Sequence, residues 1–320
     1  MQNLSGLVAV LGLTLCAACG GGDSGDGSNG GSSTTGNGGS SAANGGSSTT
    51  GNGGSSTANG GATSSSGGST STTTTHFSFF VTSVGAMKTL SGNAQGFGGD
   101  LRFGETGTGA GLRGADKICT TIAEMALPGS GSKGWRAFLS AKSAGSGGAV
   151  VHAKDRIGAG PWYDRMGRLV SQNLTNLLQR RPTDADAAII NDLPNENGIP
   201  NHSDGASGCT GNACPDNHDT LTGCAADGSL YTQTTNPTCD DWTTVVGSAG
   251  KPRVGHSWPR TTTGGGSGGG NDMANWMSAL DEAGCAAGIN LVEMGPPNAA
   301  NPTVGSGGGY GGIYCFALSP

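Results

Sequence analysis

The chain has 320 residues, of which 64 are glycine and 12% are charged, and its formal net charge is −6. The length alone suggests two domains, but a chain with so many glycines has fewer residues that can pack into a core. Polyanion binding needs a positive field, and 16 basic residues stand against 22 acidic ones, so we expect no nucleic-acid partner. The folded part should therefore be smaller than the whole chain.

The first 19 residues are typical of an export signal. An apolar run at 7–15 is too short to span a bilayer, and small residues precede Cys19. This pattern resembles a bacterial lipobox, in which the new N-terminal cysteine carries lipid. We therefore expect a signal peptide over 1–19, a lipid anchor on Cys19 and a place at the cell envelope or surface, in the outer membrane of a diderm bacterium. Plain secretion is the alternative.

Residues 20–75 consist almost entirely of Gly, Ser, Thr, Asn and Ala. Two copies of one repeat, at 30–44 and 45–59, have no large apolar position with which to stack. Such a segment buries too little apolar surface to offset the entropy of ordering the chain. We expect a disordered tether with an r.m.s. span of roughly 40 Å, followed by one folded domain over 76–320.

Hydrophobic periodicity predicts both helices and strands in the folded part. A strand is expected at 76–83, and a helix at 112–127, where apolar residues recur at helical spacing up to Pro128. The other expected elements are strands at 135–141, 149–153 and 312–318 and a second helix from 272 to about 286. Residues 172–245 have the composition of a long loop.

Five short motifs follow one another in the folded part. They are GLRGADKIC at 111–119, WRAFLS at 135–140, AKDR at 153–156, CDDW at 239–242 and YCF at 314–316. With these motifs in this order, the chain resembles endostatin, the collagen-derived domain, over roughly residues 77–320. The resemblance implies an α+β fold that is C-type lectin-like, with two helices, a mostly antiparallel sheet and long disulfide-linked loops.

Seven cysteines follow the tether. An exported, glycine-rich domain with modest apolar content needs cross-links, and disulfides persist in oxidising compartments. The resemblance to endostatin implies two nested pairs, Cys119 with Cys315 and Cys239 with Cys285. The helix and the final strand would then be tied together covalently.

Three cysteines remain, so one of them should be free, intermolecular or paired in another way. We expect Cys209 to pair with Cys214 or with Cys224. Zinc is the alternative, because His202 and His218 lie close to these three cysteines in sequence. The spacing matches no standard zinc pattern, and an oxidising compartment favours disulfides.

No cofactor is expected, and calcium is the one metal ion with candidate ligands of the right chemistry. Lectin-like folds often place carboxylates and amides on a long loop, and such hard oxygens suit calcium. The candidate ligands are Asp192, Asn195, Glu196, Asn197, Asp240 and Asp241. The Glu-Pro-Asn motif of the sugar-binding lectins is missing, and acidic, Asn-rich turns are also common as solvated loops.

Endostatin binds heparin through an arginine cluster, and zinc through histidines near its start. Arg113 and Lys142 match members of that cluster, whereas His152 and Ala153 stand where the family has arginines. Of the zinc ligands, only His76 lies in the corresponding region. We expect both the heparin site and this zinc site to be lost.

No catalytic motif is found. The one Gly-x-Ser-x-Gly sequence, at 265–269, lies in a glycine tract that supplies neither the strand nor the helix of a nucleophile elbow. His256 has no nucleophile beside it in sequence. We therefore expect a non-enzymatic, surface-tethered recognition or adhesion module that binds a glycan or an extracellular protein, with Trp162 and Trp258 stacking on sugars. The alternatives are a structural cell-envelope lipoprotein without a small ligand, and a secreted hydrolase.

Overall fold

The computed structural model describes residues 76–203, 217–258, 272–292 and 296–319. All of them belong to the second of the chain's two units, Gly68–Pro320. The predicted signal peptide, the lipid anchor on Cys19 and the tether lie outside the described residues. Within the described part, no helix combines the length and the apolar character needed to cross a bilayer.

The fold is a mixture of α and β structure with a mainly antiparallel sheet. The strands are β1 (Phe79–Val81), β2 (Trp135–Ala137), β3 (Trp162–Tyr163), β4 (Leu169–Ser171), β5 (Asp219–Leu221), β6 (Arg253–His256), β7 (Leu280–Asp281) and β8 (Gly309–Ala317). The helices are α1 (Val84–Ser91), α2 (Ala110–Ala126) and α3 (Leu174–Leu177), and a fourth helical segment covers Cys239–Trp242.

The central sheet has six strands in the order β1-β8-β5-β6-β7, and β2 also pairs with β8. Strand β8 is antiparallel to β1 and β2 but parallel to β5. Strands β3 and β4 form a separate two-stranded sheet. The last strand therefore joins the N-terminal strands to the later part of the chain.

Strand β8 is buried along its whole length, so both faces of the sheet carry a hydrophobic core. Ile313 and Cys315 belong to one cluster, whereas Tyr314 and Phe316 belong to the other. This alternation follows from the two-residue period of a strand, which points successive side chains to opposite faces. We call the two sides the helix face, which α2 covers, and the loop face, which loops and short strands cover.

Helix α2 confirms the helix predicted at 112–127. Its buried positions recur at helical spacing, and it ends at Leu127, just before Pro128. Gly114 is needed because a Cβ there would lie 2.1 Å from the carbonyl oxygen of Arg102, so the helix can pack directly on that backbone. Two of the glycine-rich positions in the 111–119 motif are thus sites of close backbone approach, Gly111 being the other.

Helix α1 was missed from the sequence, although both of its caps are visible there. The Ser83 hydroxyl accepts a hydrogen bond from the main-chain N of Ala86 (3.1 Å), and Gly92 ends the helix in the left-handed conformation. Only Val84 and Met87 of this helix are buried. The apolar stripe is too short for periodicity to reveal the helix.

The second helix predicted from 272 to about 286 does not form. Asn275 makes a turn in which its Oδ1 accepts from the main-chain N of Met277 (2.8 Å), and the chain then enters β7. Trp276 and Met277 pack on the loop face, but Leu280 packs on the helix face. The apolar residues that share a face on a helical wheel therefore serve two different cores.

The strand predicted at 149–153 is also wrong. In that segment Val151 makes one isolated bridge with Ala141, and Ala153–Asp155 is a short 3-10 helix. In the predicted loop region 172–245, α3 and β5 form, each only three or four residues long. Elements of that length leave no periodic signal in a sequence.

Two disulfides are present, Cys119–Cys315 and Cys239–Cys285. They are the pairs that the resemblance to endostatin implies. Cys224 instead carries a free thiol, which is buried and lies 3.2 Å from the Ser140 hydroxyl, so the predicted pair of Cys209 with Cys224 does not form. Cys209 itself lies outside the described residues.

Candidate functional site

The segment Cys239–Trp242 winds in the left-handed sense. Its four residues have φ angles of +47°, +52°, +56° and +66°, although none of them is glycine. A left-handed turn of ordinary residues costs roughly 1–2 kcal/mol per residue, because Cβ approaches the following carbonyl oxygen. Such strain persists only where surrounding contacts impose it, and it concentrates at functional sites. We call this segment the left-handed turn.

Several contacts impose this conformation. The disulfide to Cys285 holds its first residue, and the indole N of Trp242, which is fully buried, donates to the carbonyl of Ser140 (2.8 Å). Helix α2 packs so closely that a Cβ on Gly111 would lie 2.1 Å from the carbonyl oxygen of Asp241. The GLRGADKIC and CDDW motifs therefore meet in the structure.

The Asp241 carboxylate fixes the neighbouring loop. Its Oδ1 accepts from the main-chain N of Lys142 (2.6 Å), and its Oδ2 accepts from the main-chain N and the hydroxyl of Ser143 (2.9 and 2.8 Å). The side chain of Lys142 is left exposed beside the turn. Two segments that are about 100 residues apart in sequence thereby form one surface.

A groove of about 580 Å³ opens between this turn and the segment that precedes it. We call it the threonine groove. Its lining residues are Lys142, Ser143, Leu230, Tyr231, Thr232, Thr234, Thr235, Asn236, Pro237, Thr238, Asp240 and Asp241. Hydroxyl, amide and charged groups thus surround one aromatic ring.

That ring belongs to Tyr231 and is held rigidly. The guanidinium of Arg253 lies 4.3 Å from the ring centroid, a cation–π contact. Arg253 is itself buried, and it donates to the Ser278 hydroxyl (2.9 Å) and to Asp281 (3.2 Å). Burial raises the pKa of the Tyr231 phenol, so its hydroxyl stays protonated near neutral pH and can both donate and accept.

The four predicted ligand-binding residues fall in different places. Lys142 lines the threonine groove. Arg113 lies outside it, half-exposed, and donates to the carbonyl oxygens of Thr106 and Thr108 (2.6 Å each). These bonds tie Arg113 to its own loop.

The two predicted sugar-stacking tryptophans also differ. Trp162 is 1% exposed, because its ring packs edge-on against Phe316 in the loop-face core, so it has no face to offer a ligand. Trp258 is partly exposed and stacks on the ring of His202, with the centroids 4.5 Å apart.

The six predicted calcium ligands belong to two sets with different surroundings. Glu196 is buried and accepts from the main-chain N (2.9 Å) and the hydroxyl (2.5 Å) of Ser83, at the start of α1. Asn195 caps its own turn by accepting from the main-chain N of Asn197 (2.9 Å). Asp192 pairs with His202. Donors within the protein therefore already occupy these oxygens.

The second set, Asp240 and Asp241, lies on the left-handed turn. Asp240 is exposed and accepts from the side-chain N of Asn236 (2.9 Å), while the Asp241 carboxylate fixes the 142–143 loop. The structure records no hydrogen bond between this pair and the residues at 192–197. Calcium binding by the combined set stays a prediction.

A second polar cluster is buried at the edge of β5 and β6. Asp219 begins β5, His256 ends β6, and the two are direct partners in the antiparallel register. His218 comes just before β5, where the pairing of β5 with β8 shifts between Asp219 and Thr220. Such irregularities re-aim side chains. His218, Asp219 and His256, which we call the His–Asp cluster, are each no more than 2% exposed.

The three side chains converge on one point. His256 Nε2 lies 2.9 Å from Asp219 Oδ1, and His218 Nε2 lies 3.8 Å from the same oxygen. The two imidazole rings are 4.4 Å apart between centroids and nearly perpendicular. Among the described residues, this is the group of three His, Cys, Asp or Glu side chains whose ligand atoms all lie within 4.8 Å of one another.

Glu282 adds a second buried carboxyl to this region. Its Oε2 accepts from the hydroxyl of Ser306 (2.7 Å) and the main-chain N of Gly307 (2.8 Å). Burial and the nearby Asp219 raise the pKa of Glu282 well above its usual range. Burial also acts to raise the pKa of Asp219, but the two histidines outweigh it, and the pKa of Asp219 is lowered. Glu282 is therefore protonated more readily than Asp219.

Sequence analysis named two members of this cluster but not the cluster itself. His218 was considered with Cys224 as a zinc ligand, whereas the Cys224 thiol contacts Ser140 and Thr222. His256 was considered only as a general base. The pairing of β5 with β6 brings these histidines together over 38 residues of chain, and no motif in the sequence signals it.

Comparison with known proteins adds no relative to this picture. No protein-family model matches the chain, and no curated protein matches it. The endostatin resemblance therefore stays an interpretation of its motifs, and the argument for function depends on the two sites described above.

Proposed function

We propose that the protein is a non-enzymatic recognition module at the cell surface and that it binds a glycan in the threonine groove. The observation that carries this proposal is the composition of the groove around Tyr231. Hydroxyl, amide and carboxylate groups alternate there with one aromatic ring. Sugars present the complementary surface, because their hydroxyls donate and accept hydrogen bonds and their C–H faces pack on aromatic rings.

The rigidity of the groove supports recognition. Its floor contains Tyr231, which is fixed by buried Arg253, and one wall is the left-handed turn, which is fixed by a disulfide. Binding groups that are already ordered lose little conformational entropy when a ligand arrives. A site built on strained backbone that several contacts hold in place is therefore suited to binding.

Two side chains on the groove remain available to a ligand. Lys142 is exposed, and only its main-chain N is used by Asp241. Asp240 is exposed, and its one recorded side-chain partner is the Asn236 amide. One cation and one carboxylate at opposite places in a neutral lining suit a polyhydroxylated ligand better than a highly charged one.

The N-terminal pattern supports the location in this proposal. A lipid on Cys19 and a glycine-rich tether over 20–75 would hold the groove away from a membrane surface, where an external glycan can reach it. The two disulfides are in keeping with an oxidising compartment. The same chemistry suits an extracellular protein ligand less well, because such interfaces usually need larger apolar anchors.

A glycan array with the full chain tests the proposal, with and without calcium. We expect a saturable signal that Lys142→Ala and Asp240→Asn each reduce at least tenfold, because both side chains face the groove. Lys88→Ala on α1 is the matched control, since it removes the same charge from an exposed position outside the lining.

The outcomes separate the alternatives. Signals that depend on added calcium would assign the binding to the predicted oxygen ligands. A flat array with a correctly folded chain would contradict the proposal and favour a structural role in the cell envelope. Equal losses in Lys142→Ala and Lys88→Ala would show that binding is not located in the groove.

A further inference from the structure

We propose that His218, Asp219 and His256 form a binding site for one divalent transition-metal ion, with zinc as the expected occupant. None of these three residues lines the threonine groove, so the proposal is independent of the glycan. Their side chains supply two imidazole nitrogens and one carboxylate oxygen, a ligand set that zinc commonly takes from proteins.

The distances fit a shared metal ion. Zinc–nitrogen and zinc–oxygen bonds are about 2.0–2.1 Å, so two ligands of a tetrahedral zinc lie about 3.3 Å apart. The separations of Asp219 Oδ1 from His256 Nε2 and from His218 Nε2 are 2.9 and 3.8 Å, one on each side of that value. Only small side-chain movements would be needed to bind the ion.

The tautomer of His256 points the same way. Its Nδ1 lies 2.7 Å from the carbonyl oxygen of Met273, which can only accept, so Nδ1 carries a hydrogen. In the neutral ring, Nε2 then has a lone pair, and it faces Asp219 Oδ1, which is also an acceptor. Neither atom has a hydrogen-bond partner in the structure, and both residues are at least 98% buried. A cation between two such acceptors removes an otherwise unfavourable contact.

A proton on Nε2 would also bridge this contact, but it explains less of the cluster. Both Asp219 oxygens lack hydrogen-bond partners, and two imidazoles approach the same carboxylate. Two protonated rings with centroids 4.4 Å apart would repel each other inside the protein. A metal ion uses both rings in their neutral form and places its charge next to the carboxylate.

The surroundings resemble those that orient metal ligands. A histidine that binds a metal usually donates its other N–H to a carbonyl or carboxylate, as His256 does to Met273. The nearby Glu282 is itself held by Ser306 and Gly307, and its Oε1 has no hydrogen-bond partner. Because nitrogen donors predominate, the site should prefer zinc, cobalt or nickel over calcium and magnesium, which select oxygen ligands.

The test uses the full chain, refolded with zinc, dialysed and analysed by mass spectrometry for bound metal. We expect one zinc ion per chain, and replacement by cobalt should give the visible absorption of a tetrahedral or five-coordinate ion. His256→Asn and Asp219→Asn should each weaken zinc affinity by more than about a hundredfold in a competition with a chromophoric chelator. His76→Asn is the matched control, because His76 is an exposed histidine outside the cluster.

Folding and metal binding are separated by a second measurement. The unfolding temperature of the unchanged chain should rise with added zinc, fall to the metal-free value with a chelator, and stay constant with calcium. A folded chain that binds no stoichiometric zinc overturns the proposal and leaves a proton in the contact between His256 and Asp219. Zinc that is retained equally by His256→Asn and Asp219→Asn would also overturn it, because the metal would then lie elsewhere.

Discussion

The helix face and the loop face of the central sheet are held together in different ways. On the helix face, one long helix lays an aliphatic stripe on the sheet, and Cys119 is bonded to Cys315 on β8. On the loop face, aromatic rings from distant segments meet around β8. These rings are Phe79, Phe138, Trp162, Trp276, Tyr314 and Phe316. A regular element stabilises one face, and convergence of separate segments stabilises the other.

The difference shows where a glycine-rich chain places its polar sites. The threonine groove borders the left-handed turn, which α2 and a disulfide hold in place. The His–Asp cluster lies where β5, β6 and the glycine-rich start of β8 meet, and there the sheet pairing is irregular. Both sites therefore depend on contacts between parts of the chain that are far apart in sequence.

The largest effect should come from the disulfides. The bridges close loops of 196 and 46 residues, and constraint of the unfolded chain predicts about 5 kcal/mol for Cys119–Cys315 and about 4 kcal/mol for Cys239–Cys285. Replacing each pair by alanines should lower the free energy of unfolding in that order in denaturant titrations. If the inner bridge proved the more important, the helix face would not owe its stability to chain constraint.

The loop face should be the more sensitive to loss of a single side chain. Trp276→Ala removes a ring packed 4.8 Å from Phe138 and 5.1 Å from Tyr314, and it leaves the Leu177 carbonyl without its donor (2.9 Å). We expect a loss of about 3–5 kcal/mol, against about 1 kcal/mol for Ile118→Val on the helix face. Thermal unfolding measures both, and a loss below 2 kcal/mol for Trp276→Ala would show that the aromatic rings are loosely packed.

The contact between α2 and the left-handed turn can be broken by one methyl group. Gly111→Ala places a Cβ against the Asp241 carbonyl oxygen, so we expect a loss of about 1–3 kcal/mol and weaker glycan binding. Gly85→Ala in α1 is the control, because a Cβ there meets no atom closer than 4.0 Å. That change should stabilise the protein by about 0.4–1 kcal/mol. Normal binding by Gly111→Ala would separate the groove from the helix.

The smallest effect concerns the Cys224 thiol. Burial raises its pKa to about 12, so the folded thiol stays protonated while the unfolded one ionises near pH 8.5. Above that pH the unfolded state binds fewer protons, so stability falls as pH rises, by up to about 1.4 kcal/mol per unit until the folded pKa. Comparing the unchanged chain with Cys224→Ala at pH 7.5 and 9.5 isolates this slope, and identical slopes would show that the thiol is accessible to solvent.

The sequence predicted the helix face far better than the loop face. Helix α2 carries a long apolar period, and the flanking motifs carry the cysteines of both bridges, so the resemblance located them. Trp276 and Leu280 lie four residues apart and read as one helical stripe, yet they enter opposite cores. Only the pairing of β7 with β6 separates them, and this pairing is not encoded locally.

The sites were predictable only in fragments. Lys142 was identified, but the threonines around Tyr231 carry no motif, and their role depends on the left-handed turn. That turn contains no glycine to announce its positive φ angles, because tertiary contacts impose them. His218 and His256 were each visible, but their meeting depends on the register of two strands, one of only three residues and one of four.

Non-reducing peptide mapping of the full chain tests the central claim most directly, since the account depends on covalent closure of the helix face. We predict that Cys119 is linked to Cys315 and Cys239 to Cys285, and that Cys224 reacts with a thiol reagent only after unfolding. Recovery of Cys119 and Cys315 as free thiols in the isolated, folded protein would contradict the account.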